Sequence, residues 1–225
     1  MDKIPKIRKK VSMKKSIAVV SGGMDSITML YEYADKIDLA CSFHYGSKHN
    51  DKEIPFAIFH SKSLGIKHIT ISLDFMNKYF KSDLLESGGD IPGGHYEDTV
   101  MQKTVVPFRN GIMLSIAAGL AESYGLNEVL IANHFGDHSV YPDCRESFIL
   151  PMTQAIKAGT YSELLLVSPY VAITKRDIAI KGQKLGLDYS QTWSCYKGQE
   201  YHCGTCGTCI ERKEALRGFD NTEYV

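Results

Sequence analysis

Apolar and polar positions alternate along the chain in a way that predicts short buried strands between longer helices. The predicted strands are runs of apolar, partly β-branched residues, and helix-favouring segments follow them. We predict strands over residues 17–20, 38–43, 68–73, 128–132 and 164–167. We predict helices over residues 27–34, 52–64, 111–124, 148–158 and 174–185. This order favours an α/β fold, with a doubly wound and mainly parallel sheet that helices cover on both faces.

The turn after the first predicted strand has the composition of an anion-binding loop. It reads Ser21-Gly-Gly-Met-Asp-Ser26. Its two glycines permit positive φ and a close approach of the backbone to a ligand, and the following helix N-terminus directs unpaired N–H groups at the same place. A glycine-rich turn without a ligand is the alternative. Asp25 argues against that alternative, because an acid in a phosphate loop requires a nearby cation such as Mg²⁺.

Composition restricts the class of protein. The 225-residue chain is 44% hydrophobic, which is enough for one domain with a small appendage. Its formal net charge is zero, so charge gives no general argument for binding nucleic acid or a membrane. It contains no apolar run of about 18 residues, the length that spans a bilayer. Residues 1–15 lack the apolar core of a secretory signal, and we interpret them as a frayed basic arm or, alternatively, a nucleic-acid-binding arm.

The cysteines near the end of the chain are spaced like metal ligands. Cys203, Cys206 and Cys209 form two overlapping Cys-x-x-Cys steps, and Cys195 supplies a fourth sulfur. Four sulfurs suit a structural, tetrahedral Zn²⁺, which would also fold this core-poor tail. An iron–sulfur cluster uses the same ligand set, and His202 is an alternative ligand. Metal-binding cysteines indicate a reducing compartment, and we expect a cytoplasmic protein.

Other polar segments follow the second and fourth strands or precede the apolar helix at 111–124. In open α/β sheets ligands bind at the carboxyl ends of strands, so these segments are candidate site residues. Arg109 offers donors for phosphate or carboxylate, and Asn110 offers a helix cap or a ligand contact. The alternative makes Asn110 the N-cap and leaves Arg109 on the surface. The glycine-rich segment 87–104 is too long for a plain connector and predicts a lid or a disordered stretch.

The segment after the fourth strand holds two further candidates. His134, Asp137 and His138 are a weak candidate metal trio, because Gly136 disfavours a helix that would bring them together. Cys144 is either a nucleophile or a small packed thiol, since no base is fixed beside it in sequence.

The sequence blocks together resemble a known enzyme family. The loop Ser21–Ser26 resembles the pyrophosphate loop of the ATP pyrophosphatases, which split ATP between its α and β phosphates. The remaining blocks are similar to those of one branch, the 7-cyano-7-deazaguanine synthases of queuosine and deazapurine biosynthesis. They are Tyr45–His49, Val106–Asn110, Tyr141–Arg145, Ser194–Tyr196 and the cysteines 203, 206 and 209. The resemblance extends from residue 17 to about residue 216.

This resemblance implies an ATP-dependent ligase with an adenine nucleotide alpha hydrolase-like fold. Such an enzyme adenylates 7-carboxy-7-deazaguanine, forms the amide with ammonia, and then activates the amide to give the nitrile. The implied domains are a basic arm over 1–15, a pyrophosphatase domain over 16–190 and a zinc-binding tail over 191–225. Free ammonia is the expected nitrogen source, since no glutamine amidotransferase domain is present. The family also implies a homodimer, to which the apolar stretches 148–150 and 164–167 would contribute.

The resemblance also implies roles for individual residues. Ser21, Asp25 and Arg109 are the implied catalytic residues. ATP and Mg²⁺ are the implied ligands of a nucleotide site, formed by Val20, Ser21, Gly22, Gly23, Met24, Asp25, Ser26 and Asn110. Lys48, His49, Asp143 and Arg145 are expected to bind the deazapurine, the last two by reading its donor and acceptor edge.

The chain departs from the family pattern beside the expected acyl group. Phe108 stands where glycine is expected after Val-Pro, which predicts a narrower site beside Arg109, and residues 134–138 differ from the shorter, more acidic segment of the family. Three alternative functions remain open at this point. The enzyme stops at 7-amido-7-deazaguanine or uses another amine; it is a tRNA-modifying thiolase or lysidine-type enzyme; or it is a nucleotide-binding module without catalysis. Zero net charge argues against the tRNA enzyme.

Overall fold

A parallel β-sheet lies at the centre of the protein. The structure, a computed structural model, describes residues 15–94 and 99–225. The strands are β1 Ser16–Val19, β2 Ile37–His44, β3 Lys67–Ser72, β4 Glu128–Leu130 and β5 Leu165–Val167. They pair in the order β3-β2-β1-β4-β5, and every pair is parallel. The α/β fold with a parallel sheet predicted from the sequence is confirmed.

Helices connect the strands and cover both faces of the sheet. The α-helices of the described residues are α1 Met24–Glu32, α2 Asn50–Ser63, α3 Asp74–Tyr79, α4 Arg109–Ser123, α5 Glu146–Gly159, α6 Lys175–Lys184 and α7 Gly207–Ala215. Short 3₁₀ helices lie at Thr99–Thr104, Phe135–Ser139, Pro142–Cys144 and Tyr189–Gln191. Helix α6 starts with the capping box predicted from sequence, in which Thr174 Oγ1 accepts the Asp177 N–H.

The strand side chains divide the core into two layers. Because side chains alternate along a strand, Ile17 of β1 packs on one face of the sheet and Ala18 on the other. Ile17 belongs to the same buried cluster as Ala117 of α4. Ala18 belongs to the opposite cluster, with Ile27 of α1 and Ile178 of α6. Each fully buried aliphatic side chain contributes about 1.5–3 kcal/mol, so the two layers together fix the sheet between its helices.

Two helices, α3 and α7, have no counterpart in the sequence-based prediction. Helix α7 is mostly polar and contains Cys209, so we interpret its sequence as part of the metal-binding tail. It is held by packing on α6 and by the fully buried Arg212. The guanidinium donates to the hydroxyls of Thr192 and Ser194 at 3.0 and 2.9 Å. These tertiary contacts, which local sequence does not reveal, stabilise the helix.

Helix α4 is a core helix. The segment Met101–Ser123 is apolar and long enough to cross a membrane by composition and length, but half of its apolar window is buried inside the protein. Helix α4 packs against β1 and β4. Its apolar character is therefore explained by burial against the sheet.

Two sequence predictions fall partly outside the described residues. The basic arm over 1–15 lies outside them except for Lys15, and residues 95–98 of the glycine-rich segment 87–104 lie outside them too. On either side of that gap the segment packs on the protein. Ile91 and Met101 are buried, and Gly93 forms an isolated bridge with Cys206.

The strand order places a crevice at the carboxyl end of β1. The chain proceeds from β1 outward to β2 and β3, and then returns to β4 and β5 on the other side of β1. The loops after β1 and β4 therefore separate at the middle of the sheet. Ligands of open α/β folds bind at such a switch point.

Candidate active site

The loop after β1 closes around the hydroxyl of Ser26. Ser26 Oγ accepts the N–H groups of Ser21 and Gly22 at 3.2 and 3.3 Å and donates to the Gly23 carbonyl at 3.0 Å. Gly22 has φ +106°, and a Cβ there would lie 1.9 Å from the main-chain oxygen of Glu53. Only glycine fits this position. The loop is thus pressed against α2, and the N-terminus of α1 is directed at the crevice.

The crevice is a partly open cleft with about 970 Å³ of unfilled space. It is lined by the loop after β1 and by residues that follow β2 and β4. Of the candidate residues named from the sequence, it is lined by Ser21, Gly23, Met24, Asp25, Ser26, His49, Arg109, Asn110, Asp137 and Cys144. The remaining predicted nucleotide and substrate residues do not line it: Val20, Gly22, Lys48, Asp143 and Arg145. Val20 lies beneath the loop, where its N–H donates to the Cys41 carbonyl at 2.9 Å.

Arg109 is held in the cleft by tyrosine side chains. Its Nη1 donates to Tyr45 Oη at 3.1 Å, and its guanidinium carbon lies 5.7 and 5.8 Å from the ring centroids of Tyr45 and Tyr141. Tyr141 Oη is 2.8 Å from Tyr196 Oη. The alternative that placed Arg109 on the surface is wrong. A fixed cation beside flat aromatic surfaces suits a planar ligand that carries an acidic group.

Phe108 occupies a left-handed backbone position just before Arg109. Its φ is +50°, a conformation in which a bulky residue is strained and glycine is favoured. The ring lies outward, packed edge-on against Phe148 and close over Gly111, and it does not line the cleft. Phe108 is itself the N-cap position of α4, so the alternative with Asn110 as N-cap is also wrong. The narrowing of the site predicted beside Arg109 is not observed.

Asp143 binds the start of α4. Its Oδ2 accepts the Asn110 N–H at 2.8 Å, and its side chain is buried. A carboxylate at a helix N-terminus is stabilised by the unpaired N–H groups and the helix dipole. Asn110 Nδ2 in turn donates to Cys144 Sγ at 3.1 Å. The described contacts of Asp143 thus position Arg109 and Asn110, and its role toward a substrate stays a prediction.

Lys48 and Arg145 make contacts outside the cleft. Lys48 Nζ donates to the carbonyls of Asp83 and Gly89, both at 2.6 Å, and so fixes the loop after α3. Arg145 Nε donates to the His138 carbonyl at 2.8 Å. Their substrate-binding roles also stay predictions.

Cys144 is a packed thiol. It is buried, and burial raises the pKa of its thiol well above the ordinary value, with Asp137 and Asp143 adding to the effect. A nucleophilic cysteine requires the opposite shift. Of the two roles considered for Cys144, the geometry favours packing.

A cluster of charged side chains lies beside the loop. Lys175 Nζ is 3.2 Å from Asp25 Oδ2 and 2.8 Å from Glu211 Oε2. Burial alone would lower the pKa of Lys175, but the charges of Asp25 and Glu211 outweigh it and raise the pKa. Lys175 is therefore a permanent cation in the cleft, held between the loop and α7.

His134 belongs to this cluster. Its Nδ1 accepts the Gly136 N–H at 3.0 Å, which places the proton of the neutral ring on Nε2. Nε2 lies 3.5 Å from Asp137 Oδ1 and 3.8 Å from Asp25 Oδ2. A 3₁₀ helix runs over Phe135–Ser139, although Gly136 argued against a helix there. His134, Asp137 and His138 do not form a metal-type cluster among the described residues.

The four predicted cysteine ligands converge. The sulfur atoms of Cys195, Cys203, Cys206 and Cys209 all lie within 4.8 Å of one another, and all four residues are buried. Cys203 Sγ and Cys209 Sγ are 4.0 Å apart. Tetrahedral bonds of about 2.3 Å place sulfur atoms about 3.8 Å apart, so the donor set fits a metal ion. Backbone N–H groups of Cys203 and Cys206 donate to sulfur, at 3.4 and 3.3 Å, as thiolates require.

His202 is engaged elsewhere. Its Nε2 accepts the Ser194 N–H at 3.1 Å, and its ring packs on Trp193 with centroids 4.3 Å apart. Burial lowers its pKa to about 4, and nearby Arg212 acts in the same direction. The alternative in which His202 replaces a cysteine is not supported.

Sequence reasoning missed several residues that line the cleft. Lys175 was interpreted only as part of a helix cap, and Glu53 only as a helix residue. The main-chain N–H of Trp193 donates to the Gly22 carbonyl at 3.1 Å, which joins the segment after α6 to the loop. No local spacing connects these positions. The only available signal was the position of Lys175 at the first turn of a strongly capped helix.

The strand order and the Ser-Gly-Gly-x-Asp-Ser loop at the end of β1 define the class of PP-loop ATP pyrophosphatases. Two solved structures share the fold. NMN synthetase from Francisella tularensis is 13% identical with TM-score 0.51, over 83% of this chain and 68% of that one. U34-tRNA thiolase NcsA from Methanococcus maripaludis, with its [4Fe-4S] cluster, is 15% identical with TM-score 0.51, over 95% of this chain and 74% of that one.

Within this class the family is established by sequence. The model of the family "Queuosine biosynthesis protein QueC" matches residues 15–220, and the chain belongs to this family. A 7-cyano-7-deazaguanine synthase of Porphyromonas gingivalis ATCC 33277 is 61% identical over 94% of this chain and 97% of that protein. Proteins of the same name from Desulfotalea psychrophila and Methanoregula boonei are 50% and 44% identical, over 95% and 90% of this chain and 100% and 94% of theirs.

The fit of the loop against α2 predicts the effect of Gly22→Ala. The new Cβ would meet the Glu53 main-chain oxygen and would also force a residue other than glycine into positive φ. We expect at least about tenfold weaker binding of pyrophosphate, which corresponds to about 1.4 kcal/mol, measured by isothermal titration calorimetry. Gly65→Ala is the matched control, because Gly65 has φ +65° with no atom within 4 Å of its Cβ position. Equal pyrophosphate affinity in both variants would contradict this account of the loop.

Proposed function

We propose that this protein forms 7-cyano-7-deazaguanine from 7-carboxy-7-deazaguanine, ammonia and ATP, with release of AMP and pyrophosphate. The observation that carries this proposal is the shared lining of one cleft by the phosphate loop and by Arg109 with its tyrosines. The family match and the relatives' name, 7-cyano-7-deazaguanine synthase, support the same product. The relatives' name specifies the nitrile, so it disfavours the alternative that ends at the amide.

The loop and Arg109 have different roles in the activation of the substrate carboxylate. The substrate carboxylate attacks the α phosphorus of ATP, and pyrophosphate leaves toward the N–H groups of the loop and α1. Arg109 neutralises the carboxylate, whose charge would otherwise repel the phosphates. Ammonia then displaces AMP from the acyl carbon to give the amide. Activation of the amide oxygen by a second ATP, followed by loss of AMP, gives the nitrile.

We also propose that Asp25 and Asp137 hold Mg²⁺ in the cleft. Carboxylate oxygens are the donors that Mg²⁺ prefers, and both residues line the cleft. Asp25 Oδ1 is buried without a hydrogen-bond partner, as an oxygen reserved for a cation would be. When bound, Mg²⁺ would neutralise charge on the departing pyrophosphate. Lys175, beside Asp25, supplies a further positive charge at the same end of the cleft.

The substrate end of the cleft is assigned to the residues around Arg109. Tyr45, Tyr141 and Tyr196 offer flat surfaces for the deazapurine ring, and His49 lies next to them. Asp143 and Asn110 keep Arg109 in place through α4. The deazapurine-reading roles of Asp143, Lys48 and Arg145 are retained as proposals that binding measurements on single variants would test.

The proposed reaction predicts two activations for each nitrile formed. Purified protein with Mg-ATP, ammonium and the acid should release about two AMP for each nitrile formed, and mass spectrometry would measure both products.

Arg109→Gln should lower kcat/KM for the acid by about 10²-fold, while ATP affinity changes little. Arg217→Gln, at an exposed position just after α7 and outside the cleft lining, is the control for loss of an arginine.

Other product patterns would change the assignment. One AMP for each amide, with no nitrile, would support the shorter reaction instead. No AMP release with any amine would contradict both ligase functions. The tRNA-modifying alternative has only a fold likeness in its favour, because the thiolase is 15% identical.

We propose that the cysteine cluster holds a structural Zn²⁺ and that residues 191–225 form a subdomain around it, packed on the domain over 16–190. The closed set of four buried sulfurs supports this, since a structural zinc site leaves no open position. Helix α7 supports the packing, because the Arg212 guanidinium donates to the Tyr189 carbonyl and Glu211 Oε2 lies 2.8 Å from Lys175 Nζ, and both partners belong to the domain over 16–190. Thiolate ligands are maintained in a reducing compartment, so we place the protein in the cytoplasm, which cell fractionation would check.

Zinc binding is tested by metal content and stability. The purified protein should contain one zinc per chain without the visible absorption of an iron–sulfur cluster, and Cys206→Ser should lose the metal and melt at a lower temperature. Cys41→Ser, in β2 and outside the cluster, should keep the zinc. Iron and sulfide in place of zinc would contradict the assignment, as would full zinc retention in Cys206→Ser.

We infer a homodimer formed through α5 and β5. Leu150 and Leu165 are exposed apolar side chains on these elements, at 58% and 45% of their full accessible area. Apolar side chains exposed on two adjoining elements are favourable to cover in an interface between two copies of the chain. Light scattering should give twice the chain mass, and Leu150→Asp should give the mass of one chain. Leu185→Asp, at a comparably exposed position after α6, should remain a dimer; a monomeric unaltered protein would contradict the inference.

A further inference from the structure

His49 and Glu53 form a buried pair in the wall of the cleft. They lie one turn apart at the start of α2, and His49 Nε2 is 3.3 Å from Glu53 Oε2. The two side chains are only 6% and 13% exposed. Glu53 also lies against the phosphate loop, since its Oε1 is 3.1 Å from the Cβ position of Gly23. The pair is therefore beside the place where pyrophosphate is expected to leave.

The two ring nitrogens of His49 have different surroundings. Nε2 faces Glu53, whereas Nδ1 is buried without a hydrogen-bond partner. A buried ring nitrogen without a hydrogen-bond partner is destabilising, so its presence in a binding cleft indicates a use that involves a ligand. The ring is fixed by a tilted contact with Tyr196, at 5.3 Å between centroids. A carboxylate on one imidazole nitrogen and an available nitrogen on the other is the arrangement of a general base.

The proposed reaction requires such a base twice. Ammonia that attacks the acyl adenylate must lose a proton before a stable amide forms. The adenylated amide must then lose its nitrogen protons as the carbon–nitrogen triple bond forms and AMP departs. Proton transfer to a placed side chain is the usual solution to both problems.

Other titratable groups on the cleft wall are unsuited to this task. Asp25 and Lys175 are paired with each other, and the Lys175 ammonium is held as a cation by that contact and by Glu211. Cys144 is a buried thiol whose Sγ is bonded by Asn110. His49 is the one histidine that lines the cleft among the described residues. Histidine is the commonest general base because imidazole exchanges protons near neutral pH.

We propose that His49, oriented by Glu53, is the general base for the nitrogen steps, an inference that rests on the proposed function. In the first step, the nitrogen–carbon bond forms and the bond from carbon to the AMP oxygen breaks. The electron pair leaves with AMP, and a nitrogen proton moves to His49. In the second step, the adenylated amide loses one of its two nitrogen protons to water. His49, which has returned its first proton to solvent, takes the other as the nitrogen electrons form the triple bond and AMP again leaves with the electron pair. The adenylation of the acid needs no proton transfer and does not involve His49.

The separation between adenylation and nitrogen transfer gives a direct test. Acid-dependent exchange of labelled pyrophosphate into ATP reports adenylation alone, and amide formation from ammonium reports the complete first half-reaction. Hydroxylamine is mainly a free base at neutral pH, so it captures the acyl adenylate with less need for a base than ammonium does. His49→Asn should lower the ammonium rate by about 10²-fold or more, keep pyrophosphate exchange, and lose much less with hydroxylamine. Glu53→Gln should also lower the ammonium rate while keeping pyrophosphate exchange, but by a smaller factor than His49→Asn.

His44→Asn is the matched control. His44 also lies 3.3 Å from a carboxylate oxygen, that of Asp51, but this pair is exposed and does not line the cleft. It should leave all three rates unchanged. Equal loss of exchange and both amine reactions in His49→Asn would overturn the proposal and assign His49 to substrate binding or folding, and an unaffected ammonium rate would overturn it too. Absence of exchange in the unaltered protein would instead refute the proposed function, and this role with it.

Discussion

The site depends on one close contact, that between Gly22 and the main chain of Glu53. The space left for a side chain at Gly22 is less than a carbon atom requires, because the Glu53 oxygen lies 1.9 Å from the Cβ position. This contact brings the N-termini of α1 and α2 to the same edge of the sheet. It also places the side chain of Glu53 against Gly23, and His49 one turn earlier on the same helix. Phosphate binding and the proposed proton transfer therefore share one rigid support.

The rest of the cleft is assembled from distant parts of the chain by hydrogen bonds between neighbouring loops. Asp143 accepts the Asn110 N–H at the start of α4 and so helps to fix Arg109, which donates to Tyr45 Oη. Trp193 donates to the Gly22 carbonyl, and Glu211 of α7 holds Lys175 next to Asp25. The cysteine-rich tail is thus in direct contact with the nucleotide end of the cleft. Loss of a metal ion from the cysteine cluster would disturb this end of the cleft, because α7 carries both Cys209 of the cluster and Glu211, which contacts Lys175.

The fold and the phosphate loop could be predicted from the sequence because both depend on patterns of neighbouring residues. Buried strands have apolar runs, the loop needs its glycines, and Cys-x-x-Cys steps have a ligand spacing that few other structures use. Predicted helix and strand ends differ from the observed ones mostly by one to three residues, as expected for termini that fray. The full set of site residues could not be predicted in this way. Only tertiary packing brings Lys175, Glu53 and Trp193 into the cleft. The position of Phe108 beside Arg109 did not indicate that its ring points away from the cleft.

The central claim is that the substrate carboxylate attacks the α phosphorus of ATP in the cleft between the loop and Arg109. The measurement that tests it most directly uses 7-carboxy-7-deazaguanine labelled with ¹⁸O in its carboxylate. The account predicts that the label appears in the phosphate of AMP, since the oxygen that attacks the α phosphorus leaves with it when ammonia displaces AMP. Label in inorganic phosphate, or AMP without label while amide forms, would contradict it.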